Sequence, residues 1–200
     1  MKLDLEKGMV LDLSKDNQQL TNILLWVDWW KIETKWFFWK SLKDVDLDLS
    51  VTLLDDNKNE IDTIYYGKLS AQWIKHAWDD LEWDDEADDS DNEQISIDLK
   101  SINSNTKYIV AHLVSYSWDE LDKLPYATAR VYDHSNNDDK LAEFKLTELW
   151  EFKGKKGVLL WVFYKDNSEW KFKALGTPLN ERDPKKVASW LDNWSIEFNI

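Results

Sequence analysis

Between Asp79 and Glu93 the chain reads DDLEWDDEADDSDNE: ten of these fifteen residues are Asp or Glu, and none is Lys or Arg. Like charges at that density repel one another unless water solvates them or a cation gathers them, and hard divalent cations prefer oxygen ligands of this kind. A solvated acidic loop and a cation site are the two readings of the run. A second acidic pattern, DVDLDLSVTLL from Asp44, favours the cation. In an extended strand it puts Asp44, Asp46 and Asp48 on one face and Val45, Leu47 and Leu49 on the other, an acid face and a core face. Same-face neighbours stand roughly 6.6 Å apart, so two carboxylates can bracket one calcium with ligand distances of about 2.4 Å. Any exposed strand also alternates charged with apolar residues, so the pattern gains weight only beside the acidic run. An EF-hand is excluded, because Leu49 holds the place of its glycine and Asp55 that of its bidentate Glu. The calcium site must be assembled from separate segments.

Other chemistry finds little support. The chain has no phosphate-binding glycine loop, no GxSxG and no HExxH, and His76, His112 and His134 lack ligand spacing to one another. Each histidine reads as structural or solvated, and no enzyme is expected. A net charge of -14 and a pI near 4.6 disfavour nucleic acid and anionic membrane, which call for clustered Lys and Arg, and favour cations or basic proteins as partners. The absence of cysteine removes disulfides and thiolate sites together and is compatible with a reducing cytosol, so the expected location is cytoplasmic. No secretory signal and no run of roughly 20 apolar residues is present.

The acids must be held by strands. Period-two alternation recurs over Leu3 to Leu13, Ile23 to Trp29, Val45 to Leu53, Ile95 to Leu99, Tyr108 to Ser115, Ala127 to Tyr132, Leu141 to Leu146, Gly157 to Tyr164 and Trp170 to Leu175. Clusters of Asn, Asp and Ser, such as DDNKNE from Asp55 and HSNNDDK from His134, separate them as turns. Only DPKKVASWLDNW reads as a helix, with Pro184 in the first helical position after Asp183. The expected fold is mainly β: an antiparallel two-sheet β-sandwich with a short C-terminal helix on one sheet, in one domain over residues 1–200. The acidic run then joins two strands, with its ends held by structure.

Fourteen tryptophans are more than a sandwich core obviously holds. Trp26, Trp30, Trp36 and Trp39 cannot share one face of one strand, so some are expected to be exposed. They either anchor a protein interface or cap the sandwich ends.

The chain resembles the TerD family, associated with tellurium resistance and stress response and described as calcium-binding β-sandwiches. LEKGMVLDLSK from Leu5 is similar to the family's opening LxKGxxxxLxK, and WVDWW to its following strand. VDLDLSVTLL from Val45 resembles its signature FDLDxSxFLL, DNEQISIDL from Asp91 its DDEQIxVDL, and EWKFKALG from Glu169 its EWKFxAVG. His76, Ala77, Trp78 and Asp79 stand where the family has His-x-Gly-Asp. The resemblance implies a Ca2+ cofactor held by Asp46, Asp48, Asp79, Asp91 and Glu93, with Asp89 and Asn92 as additions. The family's loop carries several glycines that let backbone carbonyls reach an ion; here Trp78, Trp83 and Asp88 occupy that region. The expected function is a calcium-binding module in which the ion ties the DLD strand to the acidic loop and rigidifies a protein-binding surface. The rivals are a structural or assembly protein, for example a virion component, that makes contacts through its tryptophans, and an acidic mimic of nucleic-acid charge.

Overall fold

The computed structural model describes residues 10–11, 21–36, 39–77, 91–136, 138–148, 150–167 and 169–193. Fourteen strands and one α-helix lie in these residues, in the order β1 (Val10–Leu11), β2 (Asn22–Trp29), β3 (Ile32–Trp36), β4 (Trp39–Lys43), β5 (Leu47–Leu54), β6 (Glu60–Ile64), β7 (Ser70–Ala71), β8 (Ile74–Ala77), β9 (Asp91–Asp98), β10 (Tyr108–Ser115), β11 (Ala127–Asp133), β12 (Asp139–Lys145), β13 (Gly157–Asp166), β14 (Glu169–Leu179) and α1 (Pro184–Asn193). Sheet I runs β1-β14-β13-β10-β5-β6, sheet II runs β12-β11-β2-β9-β8-β7, and β3 and β4 form a separate hairpin. All pairings are antiparallel, as the alternation predicts.

Two cores explain the burial. Between the sheets lie Ile23, Leu25 and Val27 of β2, Leu47, Leu49, Val51 and Leu53 of β5, and Ile95 and Ile97 of β9. β2 alternates half-buried with buried along its whole length, as a strand with one covered face should. β5 does not: all eight of its residues are buried. Its second face is covered by a smaller core in which Leu54, Val110, Val114, Leu159 and Val162 of sheet I meet Val187 and Leu191 of α1. The near-continuous apolar run of β13, GVLLWVFY, is buried throughout for the same reason. α1 begins as the sequence predicts. Asp183 caps it, its carboxylate accepting the Lys185 N–H at 3.0 Å, and Pro184 takes the first position, where no N–H is needed.

Several expectations need correction. β5 starts at Leu47, so Asp44 and Asp46 precede it, and the expected acid face is not open to solvent at Asp48, because the second core covers that side. The end of the acidic run is strand and not loop: Asp91, Asn92 and Glu93 pair with Trp29, Asp28 and Val27 of β2. Hairpin β3–β4 and strands β7 and β8 were not among the expected strands. Of the strand expected over Leu3 to Leu13 only Val10–Leu11 is described, and residues 78–90 of the acidic run lie outside the described residues. Among the described residues no helix is long and apolar enough to cross a membrane.

Candidate cation site

β6 covers only the second half of β5, from Val51 to Leu54, so Leu47 to Ser50 have no strand on that side. Two side chains of sheet II take its place. The Leu49 N–H donates to the Glu93 carboxylate from β9, and the Leu49 carbonyl accepts from His76 Nε2 of β8 at 3.0 Å. The carbonyl can only accept, so His76 carries its proton on Nε2; burial holds its pKa below the ordinary range and keeps the ring neutral. The same nitrogen lies 3.8 Å from the Glu93 carboxylate. The entry to β5 is fixed by Trp29 Nε1, which donates to the Val45 carbonyl at 2.8 Å, and by the Tyr116 N–H, which donates to the Asp46 carbonyl at 2.9 Å.

Asp48 is the anomaly of this end. Alternation along β5 puts it, with Ser50 and Thr52, on the face turned away from sheet II, opposite Val114 of β10. It is 4 % exposed, and its Oδ2 has no hydrogen-bond partner. Burial first, and the neighbouring Asp46 second, push its pKa up to about 7. Its field also raises the pKa of Tyr66, after the larger effect of that phenol's own burial. Tyr66 packs edge-on against Tyr116, with ring centroids 5.7 Å apart, and against Tyr65 at 5.1 Å. A carboxylate that is buried, unpartnered and beside a second carboxylate is a site that gains from a cation.

Further along the same face, hydrogen-bond direction settles a tautomer. Thr63 Oγ1 donates to the Glu60 carboxylate at 2.7 Å, so it must accept from Thr52 Oγ1 at 3.1 Å; Thr52 in turn accepts from His112 Nε2 at 3.1 Å. His112 therefore carries its proton on Nε2 and turns a bare Nδ1 into the interior. It is fully buried, and burial pushes its pKa down to about 3. That Nδ1 and the hydroxyl of Ser50, directly opposite His112, are both unpartnered. Asp48 Oδ2, Ser50 Oγ and His112 Nδ1 are thus three buried polar atoms outside any hydrogen bond on β5 and the strand beside it.

The expected ligands divide into three groups. Asp46 is exposed and adjacent to Asp48, and Glu93 reaches β5 one residue beyond Asp48, so these three come to the same stretch of chain. Asp91 and Asn92 lie at the start of β9, two and one positions before Glu93, with only their backbone described. Asp79 and Asp89 lie outside the described residues. Among the described residues no group of three His, Asp or Glu side chains is close enough to hold a metal ion. The donor set at Asp46, Asp48 and Glu93 fits a hard cation in kind and needs further oxygens to complete it. Sequence reasoning missed Ser50 and Tyr66. No local signal marked the first, because Asp48, Ser50 and Thr52 alternate with apolar residues as they would in a strand with one solvated face.

Residues 1–182 match the family described as the TerD domain. Stress response protein SCP2 of Bacillus subtilis strain 168 is 28% identical over 202 residues, covering 94% of this chain and 98% of its own length. Tellurium resistance protein TerZ of Serratia marcescens is 26% identical, covering 87% of this chain and 89% of its own. Among solved structures, a homologue of telluride resistance protein from Streptomyces coelicolor A3(2) superimposes with a TM-score of 0.64 at 12% identity, over 84% of this chain and 95% of the other. A crystal structure of a protein of unknown function superimposes with a TM-score of 0.67 at 14% identity, over 88% of this chain and all of the other. These two share the fold.

Proposed function

The chain belongs to the TerD family, and on that premise we propose that it is a non-enzymatic calcium-binding module whose ion ties the start of β5 to the acidic segment between β8 and β9. The observation that carries this reading is Asp48, a buried carboxylate with an unpartnered oxygen beside Asp46. Asp46, Asp48 and Glu93 would hold the ion together with Asp79, Asp89, Asp91 and Asn92. When bound, the calcium supplies positive charge and a crosslink. The chain's own contribution is to fix Glu93 against the backbone of β5 and to keep Asp48 dry, so that its charge is poorly satisfied until a cation arrives. The test is calorimetric titration of chelator-treated protein with calcium, alongside Asp48→Asn. Heat of binding that the variant loses supports the reading. No heat, with an unchanged melting temperature at millimolar calcium, sinks it.

A second reading, an assembly protein that makes contacts through tryptophans, has its own observation. Trp39 is 81 % exposed, and Trp73, Trp118 and Trp190 are also exposed, while Trp29, Trp161 and Trp170 are buried. Large aromatics left in water favour a partner surface. Sedimentation of the isolated protein and of Trp39→Ser and Trp73→Ser tests it; a monomer at every concentration, unchanged by either substitution, removes self-assembly as the reason for their exposure.

A further inference from the structure

At the opposite end of β5 lies a polar cavity of about 610 Å³, within the range of small-molecule sites. It is formed by the turn from Asp55 to Asn57, the turn from Asn103 to Lys107, and Lys165 at the end of β13. The Lys165 N–H donates to the Lys107 carbonyl at 3.1 Å, so Lys107, just before β10, is a backbone neighbour of Lys165 in β13. Neither has a salt-bridge partner among the described residues, in a chain with 39 acidic and 25 basic residues. Lys165 is held by the Asn103 carbonyl at 3.5 Å and by the face of Trp170, 4.9 Å from the ring centroid, contacts that orient the ammonium without neutralising it. Burial first, and Lys107 second, lower its pKa. The acids at the rim do not relieve this. Both carboxylate oxygens of Asp55 are taken by the turn, which supplies the N–H groups of Asn57 and Asn59 and the Asn59 side-chain amide, and Asp56 pairs with neither lysine. Thr106 belongs to the same lining but is fully buried, and its hydroxyl is closed to solvent.

We propose that this cavity binds a small polyhydroxylated anion, a molecule of monosaccharide size bearing a phosphate or a carboxylate. The anionic group bridges Lys107 and Lys165. The hydroxyls meet the amide side chains of Asn57 and Asn105, which line the same cavity. Two ammonium groups that pair with neither Asp55 nor Asp56 attract the anionic group, and the asparagine amides favour a hydroxylated body over a bare anion.

Backbone amide NMR and calorimetry at 0.15 M NaCl, with glucose 6-phosphate, glucuronate, glucose and inorganic phosphate as probes, test the assignment. Saturable binding of either anionic sugar, with shifts centred on Asn57, Thr106, Lys107 and Lys165, supports it, and which of the two binds more tightly identifies the anionic group. Lys107→Met with Lys165→Met should weaken that binding at least tenfold. Lys75→Met, an exposed lysine on β8, should bind as wild type. Absence of saturable binding by both anionic sugars overturns the proposal, as does glucose or inorganic phosphate binding equally well, or a double variant that binds undiminished.

Discussion

At the Leu47 end of β5 a carboxylate, Asp48, is buried with one oxygen outside any hydrogen bond; at the Leu54 end two lysines, Lys107 and Lys165, line an open cavity. The two places are roughly 20 Å apart on one strand, too far for either to neutralise the other through water at physiological salt. They differ in how the charge is held. Asp48 is pinned on a strand between two cores, so its environment is set by packing and changes only if an ion or a proton arrives. Lys107 and Lys165 stand on turns and strand ends beside an open cavity, where side chains adjust to what enters. A rigid, dry site selects by charge and size; an adaptable, wet one selects by shape and hydrogen bonding.

The largest expected effect breaks the first half of that contrast. Asp48 has a folded-state pKa raised from 3.8 to about 7, so its penalty is absent below pH 4, grows as pH rises, and is complete above pH 7. Three units correspond to roughly 4 kcal/mol. His112 works in the opposite sense, because its folded-state pKa is lowered from 6.5 to about 3 and it costs stability as pH falls through that window, on the order of 5 kcal/mol in full. Between pH 4 and 6.5 the two slopes oppose each other. Urea melts of chelator-treated protein should therefore show little pH dependence from these two groups in that window. Asp48→Asn should uncover a stability that climbs with pH up to 6.5, and should be the more stable protein by several kcal/mol at pH 8. A variant no more stable than wild type at pH 8 would show that Asp48 is better satisfied than its burial implies.

A second prediction concerns the same end without its charge. His76→Ala removes the donor to the Leu49 carbonyl and should cost about 1–3 kcal/mol at pH 7.5, measured by denaturant melts, with little change in calcium affinity. Glu93→Gln should do the reverse, keeping most of the stability while weakening calcium by about tenfold in calorimetry, if Glu93 is a ligand of the ion. The smallest effect belongs to the other end. Thr106→Val replaces an unpartnered buried hydroxyl by a methyl and should raise stability by up to about 1 kcal/mol in the absence of any ligand. Destabilisation would mean that the hydroxyl is already bonded in solution.

How far the sequence carried the fold depended on one signal, alternation. β10 was legible at both ends, Tyr108 and Ser115, because its apolar residues lie between clear turn residues. α1 was legible from the Asp183–Pro184 pair. The hairpin of IETKW and WKSLK was not, since the short alternation of Ile32, Thr34 and Trp36 is not continued in WKSLK and the two strands pair only with each other. β9 was read four residues short because Asp91, Asn92 and Glu93 have poor strand propensity; what recruits them is pairing with Trp29, Asp28 and Val27, a long-range fact. At the candidate site the residue types were visible and the burial was not. Nothing local to DLDLS says that α1, more than 130 residues away, helps to close the face on which Asp48 lies. The lysine cavity was invisible for a related reason: Lys107 and Lys165 are 58 positions apart and meet only because β10 and β13 are neighbours.

The side chains that stand in for a missing strand at Leu49 have one more consequence. A strand half with bare N–H and C=O groups is a template on which another molecule's strand can add, the first step of sheet-to-sheet aggregation. Glu93 and His76 occupy that template with groups that cannot propagate a ladder. The chain thus blocks strand addition at Leu49 with two side chains of the opposite sheet, and withdrawing them would bare one N–H and one C=O of β5.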